Sequence, residues 1–206
     1  MIREVIIWPD PILSAKCEEV PVVDDAVRAL LHDMEETMLA CRGAGLAAPQ
    51  VGFKLRLVTV LVRSETGAQV LKLVNPRIVK REEAPQLMKE GCLSLPGYYE
   101  QVRRNRHVTV ESLDETGAKV EIGAEGLLAH ALQHEIDHLD GITLTDHLSV
   151  IKRNLARAKF VKAKKKGMRW QAEKPEPKDF TDPTTKERPS RVPELLEQLA
   201  GPPKGP

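Results

Sequence analysis

Apolar positions change their period along the chain, and each change marks an element. Up to residue 23, Pro9, Pro11 and Pro21 interrupt every pattern, so the start reads as extended and turn-rich. Val27, Leu30, Leu31, Met34 and Met38 then recur at helical spacing behind Asp24 and Asp25. Either aspartate can cap that helix, which should end near Arg42 and Gly43. Residues 54–62 alternate and are rich in Val and Leu, which predicts a strand. A second strand over 71–79 contains Asn75-Pro76, and a residue without an N–H belongs at an edge or a bulge. Residues 107–113 and 119–124 predict a hairpin around Asp114-Glu-Thr-Gly117. Leu127, Leu128, Ala131, Leu132, Ile136 and Leu139 return to the helical period, so most of one helix face should be buried. That helix ends at Asp140-Gly141, and a last amphipathic helix begins near Ser149. The order predicts an α+β domain, with antiparallel strands packed around a central helix and a C-terminal helix after it.

Composition adds limits to this picture. A chain of 206 residues fits one domain with appendages, and 41% hydrophobic with 30% charged residues fits a globular protein. The net charge of +1 implies no global electrostatic partner. No apolar run approaches the roughly 20 residues that span a bilayer, so no membrane association is expected. The opening Met1-Ile-Arg-Glu-Val-Ile-Ile-Trp8 is too short and too acidic for a signal or transit peptide. Three cysteines make no disulfide framework, which points to a reducing cytosol. Cys17 and Cys41 read as small buried hydrophobes.

The chemistry centres on His134-Glu135-Ile136-Asp137-His138, an H-E-x-x-H inside the central helix. Residues i and i+4 share one face, so both imidazoles can grip one metal ion, with Glu135 beside them to take a proton from water. His130 extends the row, but positions 130 and 138 lie about 12 Å apart along a helix axis, too far for one ion. It reads instead as a wall or core residue. Cys92, in the loop Glu90-Gly-Cys-Leu-Ser-Leu-Pro96, is the candidate third ligand; the rival reading is a small buried side chain. One thiolate and two imidazoles leave a fourth position open, as catalytic metals require. Gly43-Ala-Gly-Leu-Ala-Ala-Pro-Gln50 lets backbone approach closely, and it lacks the Gly-Lys-Ser/Thr of a phosphate loop.

These three stretches, in this order and spacing, closely resemble the peptide deformylase motifs G-x-G-x-A-A-x-Q, E-G-C-L-S and Q-H-E-x-D-H-L. The resemblance runs from the N-terminus to about residue 165. It implies a metallohydrolase that removes the N-formyl group from the formyl-methionine of newly synthesised proteins and releases formate. It further implies one divalent ion on Cys92, His134 and His138, natively Fe2+ with Zn2+ or Ni2+ able to substitute; thiolate and imidazole suit iron and zinc alike. Glu135 would act as general base and then acid, with Gln50 and the Leu93 N–H as donors to the developing oxyanion. Gly43 and Gly45 would pair with an extended substrate backbone, and Met88, Leu127, His130 and Ala131 would line the methionine pocket. His130 departs from the apolar residue expected there, and Tyr98 and Tyr99 replace polar residues near the substrate entrance. Arg104 either pairs with Glu90 to hold the Cys92 loop or stands solvated.

The resemblance implies a bacterial cytoplasmic enzyme acting on N-formylmethionyl nascent peptides. Residues 1–170 form its catalytic domain, and residues 171–206 a proline- and charge-rich extension expected to be disordered. From Lys152 to Lys174 there are ten Lys or Arg against Glu173 alone. Such a run is either a solvated helix face or an RNA contact; the family's long bacterial form is thought to dock its C-terminal helix on the ribosome. A short helix over 193–200 is expected within the extension. Two other classes share parts of this pattern. A zinc endopeptidase takes its third ligand from a downstream Glu, Asp or His, and a non-catalytic ribosome- or RNA-binding protein would lack Cys92, Glu135 or Gln50.

Overall fold

A computed structural model describes residues 1–64, 67–82 and 84–168. Three helices run Asp25–Ala40 (α1), Gly126–Leu139 (α2) and Val150–Lys165 (α3). Seven strands run Gly45–Ala47 (β1), Leu57–Ser64 (β2), Gly67–Glu82 (β3), Gln86–Gly91 (β4), Tyr99–Arg104 (β5), His107–Leu113 (β6) and Lys119–Glu125 (β7). All pair antiparallel, in a five-stranded sheet of order β1-β2-β3-β6-β7 and a two-stranded sheet of β4 and β5. The α+β class expected from the pattern is therefore observed.

The alternation of β2 decides the layering. Val58, Val60 and Val62 face one side and join Ala129, Leu132, Ile136 and Leu139 of α2. Leu57 and Leu61 face the other and meet Leu30, Leu31, Met34 and Met38 of α1. A strand covered on both faces reads as a continuous apolar run, as β2 does. Asp24 caps α1 by accepting from the Val27 N–H at 2.9 Å. At Asn75 the backbone turns to φ +54°, and the β3–β6 register shifts between Val74 and Arg77, so Pro76 does sit at a bulge. The Asn75 amide fills that irregularity by donating to the Val20 carbonyl and accepting from its N–H, each at 2.8 Å.

Two local expectations needed adjusting. The strand expected over 54–62 starts at Leu57, because Leu55 pairs in an isolated parallel bridge with Glu18. The β4–β5 hairpin was not expected at all. A third core cluster joins Trp8, Leu13, Leu95, Val102 and Leu144 to Ala156 and Phe160 of α3. Phe160 sits edge-on to both Trp8 and Tyr98, at ring distances of 6.2 and 6.1 Å. Among the described residues no helix is long and apolar enough to cross a membrane. The expected disorder of 171–206 and the expected helix over 193–200 lie outside the described residues.

Candidate metal centre and active site

Helix α2 leaves β7 with no intervening loop. Gly126, at φ +57°, turns the chain between strand and helix in a conformation side chains resist. One turn apart on α2, His134 and His138 are both buried, and their rings lie 4.9 Å apart at 81°. The loop between β4 and β5 delivers Cys92 to them: its Sγ lies 3.3 Å from His138 Nε2. The Cys92 sulfur and one nitrogen of each histidine all fall within 4.8 Å of one another. Donors bonded at 2.0–2.3 Å to one tetrahedral ion stand roughly 3.3–3.8 Å apart, so shifts of about 1 Å or less would bring all three onto a single ion. His130 is not a member, in keeping with the distance along the helix.

A buried ion-pair chain orients His134. Arg104 donates through Nε and Nη2 to the two Glu90 oxygens, each at 3.1 Å, and its third nitrogen meets Asp137. Asp137 also accepts from His147 Nε2 at 2.8 Å. On the other side Glu90 contacts His134 Nδ1. Burial alone would raise the Glu90 carboxyl, but His134 and Arg104 outweigh it and hold the group well below the usual carboxylate range. Burial likewise would lower His134, and the Glu90 charge outweighs it, leaving His134 well above its ordinary value. With Nδ1 committed to Glu90, the His134 Nε2 is left for a ligand, the usual way a carboxylate fixes a metal-binding tautomer. His138 has no such partner: burial and then the His134 charge push it down to about 3, and its Nδ1 stays unpaired.

Glu135 is 4% exposed, and its Oε2 has no hydrogen-bond partner. Burial pushes its carboxyl up to about 7. A buried carboxylate oxygen with nothing to accept from is one whose donor belongs to a ligand or water. Gly45 explains how the sheet passes so close: a Cβ there would lie 2.7 Å from Glu135 Cγ. At Gly43 a Cβ would lie 2.8 Å from Leu93 Cδ1, so this glycine seats the loop carrying Cys92. The short helical turn Ala48–Val51 folds Gln50 back, where its Oε1 accepts from the Ala47 N–H at 2.8 Å. That fixes the amide nitrogen 3.5 Å from Cys92 Sγ and 3.3 Å from Ser94 Oγ. Strand β1 lies at the margin of its sheet, pairing only with β2.

The remaining candidates are more scattered. Met88 is half-buried on β4, Ala131 packs against the α2 core cluster, and Leu127 is 42% exposed, short of the burial its spacing implied. His130 is buried with Nδ1 3.4 Å from Glu90 Oε2 and Nε2 unpaired; burial lowers its pKa to about 4. Tyr98 packs under α3, with its hydroxyl 3.4 Å from Glu100, so its ring serves the core as well as the loop. Sequence reasoning gave Asp137 and His147 no role, nor Gln133, whose side chain bridges Asn105 N–H and carbonyl at 3.1 and 2.9 Å. The available signal was the further polar pair Gln133 and Asp137 at i, i+4 on a helix that already carries the H-E-x-x-H.

Comparison with known proteins converges on one family. The family model described as Polypeptide deformylase matches residues 2–154. The chain is 43% identical over 165 residues to a peptide deformylase of Rhizobium meliloti, covering 80% of this chain and 95% of that one. It is 46% identical over 160 residues to one of Thermodesulfovibrio yellowstonii, covering 77% and 96%. The crystal structure of peptide deformylase from Ehrlichia chaffeensis superposes with a TM-score of 0.76 at 38% identity, covering 81% of this chain and 99% of that chain. With a family model spanning most of the chain and relatives matched over nearly their whole length, the chain belongs to the polypeptide deformylase family.

Proposed function

We propose that this protein hydrolyses the N-formyl group from the N-terminal formyl-methionine of newly synthesised proteins, releasing formate. The observation that carries the reading is the Cys92–His134–His138 triangle with the unpaired Glu135 oxygen beside it. A divalent ion held by those three donors, Fe2+ natively with Zn2+ or Ni2+ able to replace it, would polarise the formyl carbonyl and acidify water. Glu135 takes the proton as the water oxygen adds to the formyl carbon. As the C–N bond breaks, the same carboxyl returns the proton to the leaving amine. Its pKa, pushed up to about 7 by burial, suits both halves of that task.

Negative charge gathering on the former carbonyl oxygen is met by the Gln50 amide and the Leu93 backbone N–H. Holding Gln50 by its oxygen to the Ala47 N–H keeps the donating end aimed at the site before substrate arrives. Substrate backbone adds alongside Gly43 and Gly45 at the open margin of β1, a mode indifferent to most side chains. Met88, Leu127, His130 and Ala131 receive the methionine side chain. Glu90 and Arg104 position His134 rather than touching substrate. Residues 1–170 form the catalytic unit and 171–206 an extension, in a bacterial cytoplasm where the basic face of α3 meets the ribosome.

Anaerobic incubation with ferrous iron should release formate from formyl-Met-Ala-Ser, and a chelator should stop it. Protein that binds iron stoichiometrically yet releases no formate would overturn the reading.

A further inference from the structure

Helix α3 carries two apolar stripes. Ala156 and Phe160 are buried against the body. Val150, Ile151 and Leu155 are 74%, 74% and 68% exposed. At 3.6 residues per turn, Ile151 and Phe160 stand two and a half turns apart, on opposite faces. Around the outer stripe the helix holds Lys152, Arg153, Arg157, Lys159, Lys162, Lys164 and Lys165, and no acid. Lys152, Arg153 and Lys164 pair with Glu100, Asp146 and Asp10. Among the described residues Arg157, Lys162 and Lys165 have no acidic partner in an ion pair. Contiguous exposed aliphatics ringed by charge of one sign mark a surface that something else covers.

We propose that residues 193–200 of this same chain cover it. Their sequence, Pro193-Glu-Leu-Leu-Glu-Gln-Leu-Ala200, has the complementary character: Leu195, Leu196 and Leu199 fall at i, i+1 and i+4, with Glu194 and Glu197 as its only charges. The leucines would seat on Val150, Ile151 and Leu155, and the two glutamates would reach Arg157 and Lys162, the unpaired cations nearest that stripe. Length permits this. Residues 169–192 make a 24-residue connection, a length of chain that can bridge any span up to about 80 Å. The 16 residues of α3 make a helix about 24 Å long. The connection starts just past the C-terminal end of α3 and therefore reaches back over its first turns. Tethering at that length gives an effective concentration on the order of millimolar, so a weak contact suffices to keep the face covered. Any partner of the basic face must displace the segment first. This holds whether or not the metal centre performs the reaction proposed above.

The test is amide hydrogen exchange of the full chain, followed by mass spectrometry. Peptides within 193–200 should exchange about tenfold more slowly than an unprotected chain, the slowing expected when a contact with a dissociation constant near a tenth of the effective concentration is tethered. Ile151→Asp with Leu155→Asp should return them to the unprotected rate while the amides of α3 keep their protection. If α3 itself loosens in that variant, Leu196→Asp with Leu199→Asp decides, since those positions lie outside the helix. Unprotected exchange in the wild type would overturn the proposal, as would protection that survives both pairs of substitutions. Protection that grows with protein concentration would also overturn it, by assigning the contact to a second copy of the chain.

Discussion

Helices α2 and α3 are of similar length and follow each other closely, yet they are built for opposite purposes. Nine of the 14 residues of α2 are buried, and four of those nine (His130, His134, Glu135 and His138) can carry or exchange a proton. Only two of the 16 residues of α3 are buried, Ala156 and Phe160. Polar groups inside a core are tolerated only when each has a partner, so α2 needs Glu90 and Arg104 beside it. The few atoms left unpaired on α2, His130 Nε2, Glu135 Oε2 and His138 Nδ1, mark where the chain's own chemistry is incomplete. Helix α3 needs one aromatic anchor and is otherwise free to present charge outward.

The largest consequence of that contrast concerns Glu135. Replacing it with Gln keeps size and burial and removes only the proton carrier, so formate release should fall about 100- to 10,000-fold. Metal content by elemental analysis should stay unchanged, because Cys92 and the two histidines are untouched. Retained turnover would remove Glu135 from the role of base. Next come the supports of each helix. Arg104→Ala leaves the buried Glu90 with His134 and the half-buried Asp137 with His147 in place of the full ion-pair chain, a loss of about 3–5 kcal/mol in urea unfolding. Phe160→Ala empties the anchor of α3 at a similar cost, about 3–5 kcal/mol. The two should separate by mechanism: in the Arg104 variant metal affinity drops as well, and in the Phe160 variant it does not.

The same contrast explains what could be read in the sequence. Helix α1, the β6–β7 hairpin and the bulge at Asn75-Pro76 were legible because their apolar spacing or turn chemistry dictates them locally. The grouping of Cys92 with His134 and His138 was legible because one residue pair shares a helix turn and the loop cysteine lies in a recognisable motif. The β4–β5 hairpin was not, and burial shows why. Its buried positions are Glu90, Val102 and Arg104, two of them charged, while Leu87 is 57% exposed. A hydropathy pattern looks for apolar residues inside and so misses strands whose inner face is an ion pair. The link from Asp137 to His147 was hidden for another reason. It closes only because the chain turns at Gly141 and a short helical turn Leu144–His147 brings the imidazole back. Nothing in residue spacing announces that return.

Glu90 supplies a pH signature for the α2 region. Its folded pKa is depressed below the ordinary value of 4.5. A depressed carboxylate contributes stability that is complete above its unfolded pKa and is lost as pH falls toward its folded one. Stability should therefore drop below about pH 4.5, with Glu90 adding a slope of up to about 1.4 kcal/mol per pH unit. Glu90→Gln should flatten that acid limb by about one proton, measured as urea midpoints from pH 5 down to pH 3. An unchanged limb would mean that Glu90 is not held ionised by its neighbours.

The smallest effect is the one that most sharpens the comparison, because it holds residue type constant. Arg157 on α3 is exposed, and among the described residues it has no ion pair, whereas Arg104 is 6% exposed and bonded to two carboxylates. The exposed Arg157 guanidinium has no buried partner among the described residues, so truncating it strands none and opens no cavity. Arg157→Ala should shift stability by no more than about 0.5 kcal/mol, the usual range for an exposed site. Unfolding of the two arginine variants under identical conditions reads the difference directly. A loss for Arg157→Ala approaching that of Arg104→Ala would mean that the outer face of α3 is packed as firmly as the inner face of α2, and the division of labour between the two helices would fail.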